Sequence, residues 1–165
     1  MMRFQSLVAA SLFAVASAFA ADASTVSKEN PVSSHTATGP FEVKLAPQAL
    51  SAIAAQSGLG RMSLDKHYHG ALEAASTGEM LAFGNPSAAG SAGYVAMERV
   101  RGTLDGRAGS FVLQHSSTLT RGVPSQSITV VPDSGTDALA GLSGRMMVDI
   151  APGGAHAYRF EYTLP

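Results

Sequence analysis

The chain has 165 residues, with 11 Lys and Arg against 12 Asp and Glu, and no Cys. A near-neutral chain with no basic stripe lacks the charge needed to track a phosphate backbone, so no nucleic acid is expected as a partner. Without Cys there is no disulfide, no thiolate nucleophile and no thiolate metal ligand. Stability must come from packing and backbone pairing.

The first twenty residues, "MMRFQSLVAASLFAVASAFA", carry one early positive charge, Arg3, then an apolar run from Leu7 to Phe19 and a closing Ala18-Phe19-Ala20. This is the order of a secretory signal, with cleavage after Ala20. The run is too short and Ala-rich for a permanent span, so no stable membrane segment is expected after cleavage. The protein is expected to be exported, either periplasmic or secreted. Residues 21–40, "ADASTVSKENPVSSHTATGP", show no apolar period and read as a disordered leader. A single domain over 41–165 follows.

From Phe41 the pattern changes. "FEVKL" alternates apolar and polar residues, the period of a half-buried strand. "MSLDKHYHG" alternates again, with Met62, Leu64, Lys66 and Tyr68 on one side. Strand-like runs recur at "GEMLAF", "GYVAMERV", "SFVLQHSSTLT", "SITVV", "RMMVDI" and "HAYRFEYTL", separated by Gly, Pro, Asp and Asn. Short strands at such spacing indicate an all-β sandwich or barrel, and the expected fold is one small antiparallel β-barrel of about eight strands with little helix. Ala46 to Gln56, "APQALSAIAAQ", is a candidate short helix or irregular lid, and "DALAG" a candidate single turn.

Asp105-Gly106 is a strong hairpin signal, because a type I′ turn needs positive φ at both central residues. Pairing outward from it sets Val100 opposite Phe111, Glu98 opposite Leu113 and Ala96 opposite His115. Directly opposed residues share a face. One face then holds Tyr94, Ala96, Glu98, Val100 and Leu104 with Phe111, Leu113 and His115. The other holds Arg99 and Arg101. The first face is the more apolar and is expected to point inward, which sends the arginines to water and leaves Glu98 and His115 inside. A buried carboxylate is costly unless it is paired. Such a pair in a cavity is a candidate acid or base, or the polar anchor of a ligand, or a structural tie between strands.

The last run adds His156, Tyr158, Phe160 and Tyr162 on a single face. Lys66 falls on the inward side of its own strand. It either reaches the barrel rim or pairs with Glu79 or Glu98, and in the latter case joins the pocket. The candidate pocket residues are therefore Glu98, His115, Tyr94, Tyr158, Tyr162, His156 and Lys66. Asp65, His67 and His69 alternate on the opposite side and point to solvent without a third strong ligand, so no metal and no cofactor are expected. No G-x-S-x-G elbow marks a hydrolase nucleophile.

These residues carry a resemblance. "GYVAMERVRGTLDGRAGSFVLQH", "VVPDSGTDALAGLSG" and "AYRFEYTL" resemble the bacterial family called domain of unknown function 3224, and "MSLDKHYHGALEAASTGEML" fits its first hairpin. The resemblance spans roughly 41–164. It implies a small closed antiparallel barrel like those of allene oxide cyclase and the dirigent proteins, which leaves room for a homo-oligomer. It implies no established activity, and the cyclase's own sequence pattern is not present. "GTDALAGLSG" is similar to a turn that precedes a late strand in those barrels, with Leu139 and Leu142 plugging the barrel end.

The leading functional expectation is an exported barrel binding a small, largely apolar molecule in its interior. The alternatives are an isomerase or cyclase with Glu98 as buried acid or base, and a structural or oligomerisation module with a filled core.

Overall fold

The computed structural model describes residues 33–165. Eight antiparallel strands follow one another around a closed barrel: β1 (Ser34–Gln48), β2 (Gly60–Tyr68), β3 (Leu72–Gly84), β4 (Ala92–Leu104), β5 (Arg107–Thr120), β6 (Val123–Val130), β7 (Ser143–Ile150) and β8 (His156–Thr163). Each strand pairs with its sequence neighbour, and β8 returns to β1, so among the described residues no sheet edge is left open. Among the described residues no helix is long and apolar enough to cross a membrane.

The β4–β5 hairpin has the register expected from its turn. Asp105 and Gly106 have φ of 47° and 78°, and Val100, Glu98 and Ala96 face Phe111, Leu113 and His115. Gly109 pairs in register with Gly102 and introduces no bulge. Arg99 and Arg101 are exposed.

The expected leader is too long at its C-terminal end. Ser34 to Pro40 already form the first half of β1, paired with β8, and the second half turns to β2 from Phe41 onward. The inward positions of this half are Ala37 and Gly39, which give no large apolar signal, and Pro40 reads as a breaker. The strand forms because it closes the barrel, a tertiary cause invisible in local pattern. The signal expected over 1–20, and the leader as far as residue 32, lie outside the described residues.

Ala46 to Gln56 is not a helix. It completes β1 and then runs through turns closed by Ala54 N donating to Ser51 O and Ser57 N to Ala54 O. Asp137–Leu139 forms a single 3-10 turn.

The barrel has two unlike ends. At the β4–β5 turn end, Leu72, Leu104, Phe111, Phe160 and Tyr162 fill the interior, and Leu139 and Leu142 are buried over it as a plug. The connection from β6 to β7 also completes the ladder of β5: Val131 N donates to Val112 O, Thr136 N to Ser110 O, and Ser110 N to the Thr136 hydroxyl. At the other end the inward residues thin out. The β6–β7 ladder is short there, with only Ile128–Met146 and Thr129–Arg145 as pairs, and the Gln126 side chain reaches over to accept from Val148 N.

Candidate functional site

Midway along the barrel a polar layer crosses the interior. Its centre is Glu98 on β4, 1% exposed, with Lys66 of β2 (5%) and His115 of β5 (4%) beside it. Strand alternation puts all three inside. Lys66 aligns with Ser76 and Ser76 with Val100, so the β2–β3–β4 ladder sets Lys66 one inward position from the level of Glu98, within reach of its long side chain. Gly78, opposite Glu98, lets β3 and β4 close together here. A Cβ at that position would meet Met97 O at 2.1 Å and Glu98 Cα at 2.7 Å.

The Tyr68 hydroxyl donates to Glu98 Oε1 at 2.6 Å, and Lys66 Nζ donates to the Tyr68 oxygen at 3.2 Å. Lys66 Nζ stands 2.8 Å from Glu98 Oε2, an ion-pair contact that lies off hydrogen-bond direction. His115 Nε2 faces Glu98 Oε1 at 3.5 Å, too long for a good hydrogen bond. Lys66 Nζ also lies over the Phe41 ring, 5.4 Å from its centroid. Burial pushes the Glu98 carboxyl up, but His115 and the Lys66 charge outweigh it and hold the group at about 2. Glu98 is therefore ionised. Burial, reinforced by the Glu98 charge, drives Tyr68 well above the ordinary tyrosine value, so it stays a donor.

Above this layer lies a cavity of about 260 Å³ open at the barrel mouth, to which every strand contributes. Its wall is mainly apolar, from Phe41, Val43, Leu64, Met80, Ala96, Ile128 and Val148. Lys66 and His115 form its floor, and Tyr94, Gln126 and His156 stand higher on the wall. Burial raises the Tyr94 hydroxyl above its usual value, so it too is protonated at neutral pH. Glu98 does not line the cavity. It sits behind Lys66 and His115 and fixes them.

Five of the seven sequence candidates thus gather at one place: Lys66, Glu98, His115, Tyr94 and His156. Tyr158 and Tyr162 do not. Their inward direction is as expected, but β8 carries them toward the plugged end. The Tyr158 hydroxyl accepts from Leu72 N at 2.8 Å and donates to His69 O at 3.0 Å, tying down the β2–β3 turn. The Tyr162 hydroxyl donates to Asp105 in the β4–β5 turn. Burial and the Asp105 contact push Tyr162 up to about 12. Both tyrosines hold turns.

Tyr68 is a site residue outside the seven candidates; it shares the inward face of Lys66 two residues away, and that alternation is the signal that marks it. The Lys66 alternatives resolve to Glu98, because Glu79 is engaged by Arg61 on the outside. Outside the barrel, His67 lies 4.0 Å from Asp65, and His69 contacts Glu42 and Glu73. Among the described residues no group of three or more His, Cys, Asp or Glu is placed to hold a metal.

A second concavity of about 700 Å³ lies against upper β3, β4 and β5, where Leu81, Phe83 and Val95 face solvent. It is larger but has no buried charged group, so the inner cavity is the better candidate site.

The family described as "Protein of unknown function (DUF3224)" matches residues 37–162. The chain belongs to that family. A crystal structure of a DUF3224-family protein of unknown function from Shewanella oneidensis MR-1 is similar to it, with 46% identity and a TM-score of 0.74. The similarity covers 81% of this chain and 98% of the Shewanella chain. No curated protein matches the chain.

Proposed function

We propose that this DUF3224 barrel is an exported binding protein that holds a small, largely apolar molecule in the open half of its interior. The observation that carries the reading is the contrast between the two halves. One is packed and plugged, whereas the other keeps a cavity of about 260 Å³ with an apolar wall and a polar floor. A filled structural module has no need of such a space, and ligand sites commonly combine apolar walls with a few fixed polar groups. The volume is close to the lower end of small-molecule pockets and equals that of roughly nine waters in the liquid, so the ligand is small. Export rests on the order of charge, apolar run and Ala-x-Ala in the first twenty residues.

An isomerase that uses Glu98 as its acid or base is less well supported. A general base works best with a pKa near the operating pH, and Glu98 at about 2, held behind Lys66 and His115, is a weak base out of reach.

The test uses N-phenyl-1-naphthylamine, an uncharged apolar probe whose fluorescence rises on leaving water. Wild type should bind it, and Ala96→Phe, which adds a ring inside the cavity, should abolish binding while the protein stays folded. Binding retained in Ala96→Phe would move the site to the outer β3–β5 face. No binding by wild type would remove the proposal.

A further inference from the structure

Lys66, on the cavity floor, has more donors than the described residues have acceptors for them, and that surplus selects a ligand head group. Glu98 takes a hydrogen bond from Tyr68 on Oε1, faces the Lys66 charge with Oε2 off hydrogen-bond direction, and does not line the cavity. Among the described residues His115 Nε2 has no hydrogen-bond partner but faces Glu98 Oε1 at 3.5 Å. Lys66 is the floor group with donors to spare. An ammonium has three N–H donors and no acceptor. Among the described residues, Nζ makes one hydrogen bond, to the Tyr68 hydroxyl, and one ion-pair contact with Glu98 that lies off hydrogen-bond direction. No further oxygen or nitrogen among them accepts from it, and beyond these two contacts it faces only the Phe41 and Tyr68 rings, although the residue is 5% exposed and lines the cavity. A buried donor without a partner is costly, and the cost is removed by any oxygen brought to it.

Charge decides which kind of oxygen. Lys66 and Glu98 already neutralise one another at 2.8 Å. A carboxylate ligand would place a second negative charge close to Glu98, in an apolar cavity, with the Lys66 charge already paired. An uncharged carbonyl accepts the free N–H and leaves the balance intact. We propose that the ligand is an uncharged, largely apolar molecule carrying a carbonyl oxygen, which sits on Lys66 Nζ while its hydrocarbon part runs up the wall toward Ile128 and Val148. This inference rests on the cavity reading above and specifies the ligand class of that same site.

The experiment is calorimetric titration of the protein with octane, octan-2-one and octanoate, three probes of one chain length that differ in the head. Octan-2-one should bind at least about tenfold more tightly than either of the others, since a hydrogen bond to a charged donor is worth that much. The advantage over octane should vanish in Lys66→Met. If that variant fails to fold because Glu98 is left unpaired, Lys66→Met/Glu98→Gln removes both charges and gives the same comparison. Equal affinity for octane and octan-2-one in wild type would leave the cavity standing and overturn the head-group inference. Octanoate binding most tightly would overturn it in favour of an anionic ligand. Failure of all three to bind would overturn the cavity reading itself and this inference with it.

Discussion

Replacing Glu98 with Gln keeps the shape of the side chain and removes the negative charge that faces Lys66 and His115. Two routes give the size of the effect. The carboxyl lies at about 2 in the folded protein against an ordinary value of 4.5, and at about 1.4 kcal/mol per pH unit the difference is worth about 3 kcal/mol. Removing one member of a buried ion pair costs about 3–5 kcal/mol, because the other charge is left in the interior. Glu98→Gln should therefore lower stability at pH 7 by about 3 kcal/mol, read from urea denaturation midpoints. The pH dependence has a definite sign. The folded value lies below the unfolded one, so the stabilisation is complete above about pH 5 and is lost as pH falls through about 2. A urea series from pH 6 to pH 2.5 should show wild type losing most of this contribution, with Glu98→Gln flatter over that window. The double variant Lys66→Met/Glu98→Gln should recover part of the loss at pH 7. An unchanged midpoint at pH 7, or parallel pH profiles for wild type and Glu98→Gln, would refute the buried ion pair.

Four other substitutions bear on the frame around the site. Gly106→Val should lower the melting midpoint by the equivalent of about 1–3 kcal/mol, since φ at that turn position is 78° and open space around it makes the strain purely one of backbone. Arg99→Gln and Arg101→Gln should each stay within about 0.5 kcal/mol of wild type in urea, both side chains being exposed; a large loss at both would mean a shifted register. Tyr158→Phe should cost about 1–3 kcal/mol by leaving Leu72 N and His69 O without their partner, and should leave probe uptake in the cavity unchanged.

The hairpin at Asp105-Gly106 shows what sequence alone can carry. A two-residue turn with a strict backbone requirement sets a register, and the register sets every inward residue from Tyr94 to His115. The inner place of Glu98 and His115 followed without any tertiary information. Depth along the barrel axis did not. Tyr158 and Tyr162 have the inward parity of His156, but alternation reports only the face. How far each residue lies from the mouth depends on how β8 is staggered against β1, and that pairing involves Ser34 to Phe41, a segment with no apolar pattern of its own. The same limit hid the start of β1. The partner of Lys66 was open for a related reason: it is set by the β2–β3–β4 ladder, which joins residues thirty-two positions apart in sequence. The contrast between a packed half and an open half was invisible, because it comes from the plug at Leu139 and Leu142 and from the shortness of the β6–β7 ladder.

The most direct measurement of the central claim is a crystal structure of the protein soaked with octan-2-one. Density is expected for one molecule inside the barrel, its chain between Ala96, Ile128 and Val148 and its oxygen within hydrogen-bond distance of Lys66 Nζ, with Glu98 still behind. A cavity holding only water at saturating ketone, or ketone found solely on the outer face of β3–β5, would contradict it.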